Sequence, residues 1–242
     1  MNFELPRHPL SFVIDLCRKF SEIRKLEFGI YRYVPQTVKD FRRIVYLPAS
    51  GLEERFFSLR DSLGPQEEIA FHSKVYVGRL FRECVLHVPM IDFKGDMGDR
   101  QIDLGLGLLN DFRCSRAAIF SSGRSYHLYA FALLSEKEWI GFMGRALLLN
   151  PPDGPDLVDT RWIGHRLLAG YSSLRWTKNT DFYLQLPELV RDASLASVSL
   201  EKVTARWSGI GRNVWSRSSL KANITSRFAH GFQRFFHSAP PQ

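Results

Sequence analysis

The sequence predicts an α+β fold, with a central mixed or antiparallel sheet flanked by helices. Three observations carry this. "CVLHVPMIDF" (84–93) is almost continuously apolar, as a strand buried on both faces must be. Two runs rich in branched and aromatic residues, 116–121 and 126–134, lie close enough in sequence to pair as neighbours. Val13, Leu16, Cys17, Phe20 and Ile23 recur at helical spacing. Strands and helices in this mixed order suit an α+β sheet better than a strictly alternating wound fold.

Taken along the chain, the first helix falls at about 10–24. "LEFGIYRYV" (26–34), "RIVYLP" (43–48) and "IAFHSKVYV" (69–77) read as strands, with a helix at 51–63 between the second and third. The apolar run at 84–93 is the central strand, and a helix at 99–112 leads into the paired runs at 116–121 and 126–134. Ser135 and Glu138 have the spacing of a capping box, which starts a helix running to Leu149 with Ile140, Met143 and Leu147 on one face. "NPPDGPD" (150–156) breaks the chain before a short helix at 158–169 and a strand at 172–177. Residues 1–200 thus read as one domain, since no Gly/Ser/Pro-rich linker divides them.

Bulk properties narrow the function. No stretch approaches the roughly 18 uninterrupted apolar residues of a membrane-spanning helix. The N-terminus, with Glu4 and Asp15, does not have the pattern of a secretion signal. Cys17, Cys84 and Cys114 are odd in number and widely spaced, which suggests neither a disulfide framework nor a zinc ribbon and fits a reducing cytoplasm. The formal charge is +8, of which +6 falls within 201–242. There Arg206, Arg212, Arg217, Lys221 and Arg227 are interleaved with tryptophans and phenylalanines. Such an extension suits a single-stranded nucleic acid, whose phosphates meet the cations and whose bases stack on the rings. An amphipathic helix packed on the domain or on an anionic surface has the same composition.

Three clusters carry chemistry. In "VPMIDFKGD" an apolar strand ends in Asp92, with Lys94, Asp96 and Asp99 just beyond. Carboxylates on a rigid strand end suit Mg²⁺ or Mn²⁺, which prefer oxygen ligands, although an Asp there also serves as a turn or cap residue. "SSGRSYHLY" (121–129) sets Arg124, Ser125 and His127 between two strands. A guanidinium fork, a hydroxyl and an imidazole could bind phosphate oxygens, while a tight hairpin with a satisfied core histidine is the other reading. "VDTRWIGHRLLAGYSSLRWTKNT" (158–180) gathers Asp159, Arg161, His165, Arg166, Arg175 and Lys178 among aromatic and aliphatic residues. It could hold a triphosphate and complete a metal site, or form a solvated helix face followed by a surface strand.

In this order the three clusters resemble the motifs of the archaeo-eukaryotic primase superfamily, the primase–polymerases, over residues 30–185. "MIDFKGD" resembles the acid-bearing first motif, "SGRSYHLY" the Ser-x-His strand, and Val158 with Asp159 the third motif. "HRLLAGYSSLRWTKNT" resembles the basic continuation, with Arg175 and Thr177 where the family usually has histidine and lysine. Lys94 stands where the family usually has a second acid, which places the chain in a divergent, single-Asp branch.

The resemblance implies a template-dependent nucleotidyltransferase of the DNA primase/polymerase type. In it Asp92 and Asp159 are catalytic and ligate Mg²⁺ or Mn²⁺, with Asp96 a third ligand. Arg124, Ser125, His127, Arg166, Arg175 and Lys178 contact the phosphates of a nucleoside triphosphate. The implied partners are a single-stranded DNA or RNA template and separately encoded helicase, replication or defence proteins. The alternative is a degenerate module that binds nucleotide or single strands without turnover, in which the Lys94 cation substitutes for one metal.

Overall fold

The computed structural model describes residues 7–37, 41–79, 82–95 and 98–195. The predicted class holds: among the described residues, five helices combine with two sheets that are antiparallel throughout. Helix α1 (Pro9–Lys19) leads into β1 (Ile23–Arg32) and β2 (Arg43–Pro48). Helix α2 (Leu52–Asp61) precedes the long β3 (Glu67–Arg79) and β4 (Arg82–His87). The first sheet has the order β2-β1-β3-β4, and β8 (Ser173–Arg175) pairs with β3 off that path. The second sheet has the order β5-β7-β6-β9, from β5 (Met90–Asp92), β6 (Arg116–Ser121), β7 (Tyr126–Ala130) and β9 (Glu188–Ser194). Helices α3 (Asp99–Leu108), α4 (Glu136–Leu147) and α5 (Thr160–Ala169) complete the described chain, with a 3₁₀ turn at Leu109–Phe112. No helix among the described residues is long and apolar enough to cross a membrane.

One expected strand is in fact two. The apolar run 84–93 belongs to the first sheet as β4, then crosses to the second as β5. Pro89 sits at the crossing, where a residue without an N–H cannot serve a continuous ladder. The Val88 N–H still reaches the Ser73 carbonyl at 2.8 Å, while the Pro89 carbonyl accepts from Ala130 of the second sheet at 3.1 Å.

The capping box of α4 forms as expected, with the Ser135 hydroxyl and Glu138 carboxylate each bound to the other's backbone N–H. Its buried stripe differs from the expected one. Trp139, Phe142, Met143 and Ala146 face inward, whereas Ile140 is half exposed. The buried set follows the i, i+3, i+4, i+7 spacing of a single face.

Strands β5, β6 and β7 of the second sheet are buried on both sides, while the edge strand β9 is largely open to solvent. Ala118, Phe120, Tyr129 and Phe131 join a cluster with α1, α2 and the first sheet, while Ile91, Ile119 and Leu128 join another with α3, α4 and α5. Trp176 ties the halves together. Its fully buried ring packs edge-on to Phe28 and Phe56, and its indole N–H donates to the Tyr129 hydroxyl at 2.9 Å. His8, the cap of α1, hydrogen-bonds the Trp176 carbonyl at 2.8 Å.

Trp176→Ala should therefore cost about 3–5 kcal/mol of unfolding free energy, read from denaturant titration. A second expectation concerns pH. Burial lowers the imidazoles of His8, His72 and His87 to about 4, below the ordinary 6.5. The unfolded chain therefore binds protons first, so stability present above pH 6.5 is lost as the pH falls through about 4. Urea midpoints measured across that range should fall with acidity, and a His8→Asn variant should show a shallower fall.

Candidate active site

The three sequence clusters meet around one open cavity of about 830 Å³. Its base is the end of β5 against the β6–β7 turn. The registers place Asp92 directly opposite His127, and the Phe93–Val158 bridge brings the start of α5 alongside. The Asp159 N–H donates to the Asp92 carbonyl at 3.2 Å, so the two acids of separate motifs become neighbours.

Asp159 is also the N-cap of α5, with Oδ1 accepting from the Trp162 N–H at 3.0 Å. A strand-end or cap acid and a pocket acid are thus compatible roles. Burial, followed by the charge of Asp159, raises the Asp92 carboxyl to about 7. The Ser125 hydroxyl, donating at 3.2 Å, and the charges of Arg175 and Arg166 act in the opposite direction.

"SSGRSYHLY" is both a hairpin and part of the pocket. Ser122 and Ser125 close the turn through a backbone bond of 2.9 Å and a hydroxyl pair at 2.9 Å. Gly123 has φ +106°, and a Cβ there would lie 3.0 Å from Leu184 Cβ, so the turn demands glycine. His127 is buried and lines the cavity. Burial, with the nearby Arg175 charge, lowers its imidazole to about 3, so the ring is neutral. Its Nε2 lies 3.8 Å from Asp92 Oδ1, too far for a hydrogen bond. Its buried Nδ1 has no partner among the described residues.

Six arginines line the cavity among the described residues (Arg32, Arg42, Arg124, Arg161, Arg166 and Arg175) against Glu67, Asp92 and Asp159. This surplus selects an anionic ligand. Arg166, expected to contact phosphate, is buried in the wall. Arg175 is buried too, but many of its donors are spent on the chain: it bonds the carbonyls of Thr177, Ser122 (3.0 Å) and Gln185 (3.1 Å). Arg124 is exposed at the rim and donates to the Phe182 carbonyl at 2.6 Å.

Sequence reasoning missed Arg42, which donates to the Ser173 hydroxyl at 2.8 Å and lies 4.2 Å over the Tyr31 ring. It sits far from the three motifs in sequence, and only the β1–β2 pairing with β8 beside β3 brings it in.

Two expected contributors lie elsewhere. Lys94, two residues after Asp92, would share its face if the strand ran on, but β5 ends at Asp92 and the Lys94 N–H donates to the Leu157 carbonyl at 2.9 Å. It is exposed, pairs with Asp156 at 3.0 Å, and does not line the cavity, so it supplies no substitute charge beside Asp92. Lys178 lines a separate depression with Arg60, Leu63 and Trp176, because β8 ends at Arg175 and the chain has left the cavity wall. Asp96, and Arg206, Arg212, Arg217, Lys221 and Arg227 of the basic extension, lie outside the described residues.

No group of three or more His, Cys, Asp or Glu side chains able to hold a metal occurs among the described residues. The donors that do meet, two carboxylates and a serine hydroxyl, are hard oxygen ligands. They fit a Mg²⁺-type ion that keeps water or phosphate oxygens in its remaining positions.

A family model described as AEP-like, archaeo-eukaryotic primase 1D-like, matches residues 50–188. That span contains Asp92, Ser125, His127, Asp159, Arg166 and Arg175, and covers more than half of the chain. No curated protein and no solved structure matches.

Proposed function

The chain belongs to the archaeo-eukaryotic primase 1D-like family, and on that premise we propose that it is a template-dependent nucleotidyltransferase which joins nucleotides with release of pyrophosphate. The observation carrying this reading is the meeting of Asp92 and Asp159 at the base of a cavity that six arginines line. Phosphoryl transfer needs charge neutralisation and alignment more than covalent help from protein. A cavity with two acids at one point and cations around it divides those tasks between metal and phosphate.

Asp92 and Asp159 would hold Mg²⁺ or Mn²⁺, which supplies charge neutralisation for the triphosphate and for the attacking oxygen. Arg166 and Arg42 supply fixed positive charge to the β- and γ-phosphates. The neutral His127, packed against Asp92 on the cavity wall, offers a ring N–H to a phosphate oxygen. Ser125 holds the Asp92 carboxylate through its hydroxyl, which fixes the acid's direction. The 3′-hydroxyl of a primer or first nucleotide loses its proton to solvent as its oxygen attacks the α-phosphorus, the bond from that phosphorus to the oxygen bridging to the β-phosphate breaks, and pyrophosphate leaves.

The partners proposed with this activity are nucleoside triphosphates and a single-stranded DNA or RNA template. The basic extension is a second strand contact, and unwinding is assigned to a separate helicase. The alternative of a binding module in which Lys94 replaces a metal loses its feature, because Lys94 is engaged by Asp156 at the surface.

Primer extension on a single-stranded template with labelled nucleotides and Mn²⁺ or Mg²⁺ tests the proposal. Asp92→Ala and Asp159→Ala should each lower the rate by about 10³-fold, the loss of several kcal/mol of charge stabilisation. Lys94→Ala should stay within about threefold of wild type, since it removes an exposed ion pair. Product formed equally well by Asp92→Ala, or no wild-type product with either metal, would overturn it.

A further inference from the structure

Exposed apolar side chains gather at the mouth of the cavity. Tyr33, Val34, Phe41 and Leu184 all line it and are 40, 58, 79 and 60% exposed. Phe182, 43% exposed, lies beside them with its ring 5.3 Å from Tyr33 and inclined at 66° to it. Tyr183 joins from below, 5.6 Å from Tyr33, with its hydroxyl 3.1 Å from that of Tyr31. A soluble surface that leaves this much aromatic area open in one place marks a contact site.

The two loops bearing these rings are held by the cavity's own arginines. Arg124 donates to the Phe182 carbonyl, and Arg175 donates to the Gln185 carbonyl and lies 4.1 Å over the Tyr183 ring. Arg161 donates to the carbonyls of Gln36 (2.9 Å) and Thr37 (2.7 Å), across a turn where Gln36 adopts φ +58°. The backbone that carries Tyr33 and Phe182 is thereby held before any ligand arrives, which lowers the ordering cost of binding.

We propose that the Tyr33–Phe182 rim is a stacking platform for unpaired bases of a single-stranded nucleic acid crossing the mouth of the nucleotide cavity. This rests on the nucleotidyltransferase reading above, since it names where the template meets that site. Three features favour a nucleic acid over a protein partner: the rim is continuous with the cavity, its rings Tyr33, Phe182 and Phe41 are 40, 43 and 79% exposed, and arginines line the adjoining cavity to meet a phosphate backbone. Stacking on rings makes the contact tolerant of base sequence, because every base has a π-face.

The test uses the full chain and a short single-stranded oligonucleotide carrying 2-aminopurine, whose fluorescence is quenched by stacking, with binding followed by anisotropy. Phe182→Ala and Tyr33→Leu should each weaken strand binding about 5- to 150-fold and relieve the quench, while Phe182→Trp retains both. Binding of inorganic tripolyphosphate should stay within about twofold, showing that the cavity is intact. Unchanged strand affinity in both variants overturns the proposal, as does equal loss of tripolyphosphate binding, which would make the rim only a support. Strand binding lost on removing residues 201–242 but kept in the rim variants would assign the strand to that extension instead. Rim variants with unaltered strand binding beside an active wild type would condemn only the platform. Loss of quench in the variants of an inactive protein would condemn only the catalytic reading.

Discussion

The pocket depends on a backbone contact: the Asp159 amide reaching the Asp92 carbonyl, beside the bridge between Phe93 and Val158. It forces a strand end and a helix start together, and so forces two carboxylates into one another's field. The cost appears in Asp92, whose carboxyl is raised to about 7 by burial and by Asp159. A folded chain tolerates such a pair when something offsets the charge. Here the offset comes from Ser125, Arg166 and Arg175, and a divalent cation would complete it.

The surrounding arginines serve two ends. Their charge gives the cavity its preference for anions, yet Arg124, Arg161 and Arg175 spend donors on backbone carbonyls of the loops that shape its mouth. A guanidinium suits this double duty because it stays charged while its five N–H groups point along fixed directions. On the proposed function, folding and ligand binding are thereby linked, since a residue that would attract phosphate also holds the walls around it.

What was legible in the sequence was local. Ser125 and His127 could be read together because a short hairpin leaves few ways to arrange them, and Asp92 as a strand-end acid, while their meeting across the β5–β7 pair was implied only by the family resemblance; the cap at Ser135 follows from two residues three apart. What escaped depended on distant pairing. Arg42 and Tyr31 reach the site only through the first sheet, β9 has no strong alternating pattern of its own, and the break at Pro89 turned one apparent strand into members of two sheets. Lys94 shows the limit of alternation: it holds only while the strand continues, and β5 ends at Asp92.

The central claim is that Asp92 and Asp159 form one metal-binding pair completed by triphosphate. Electron paramagnetic resonance of Mn²⁺ titrated into the full chain, with and without a non-hydrolysable nucleoside triphosphate, addresses it most directly. The account requires a protein-bound Mn²⁺ signal that strengthens when the triphosphate is added and disappears in Asp92→Asn and in Asp159→Asn. Mn²⁺ bound equally well by both variants, or bound by the triphosphate alone with no contribution from the protein, would contradict it.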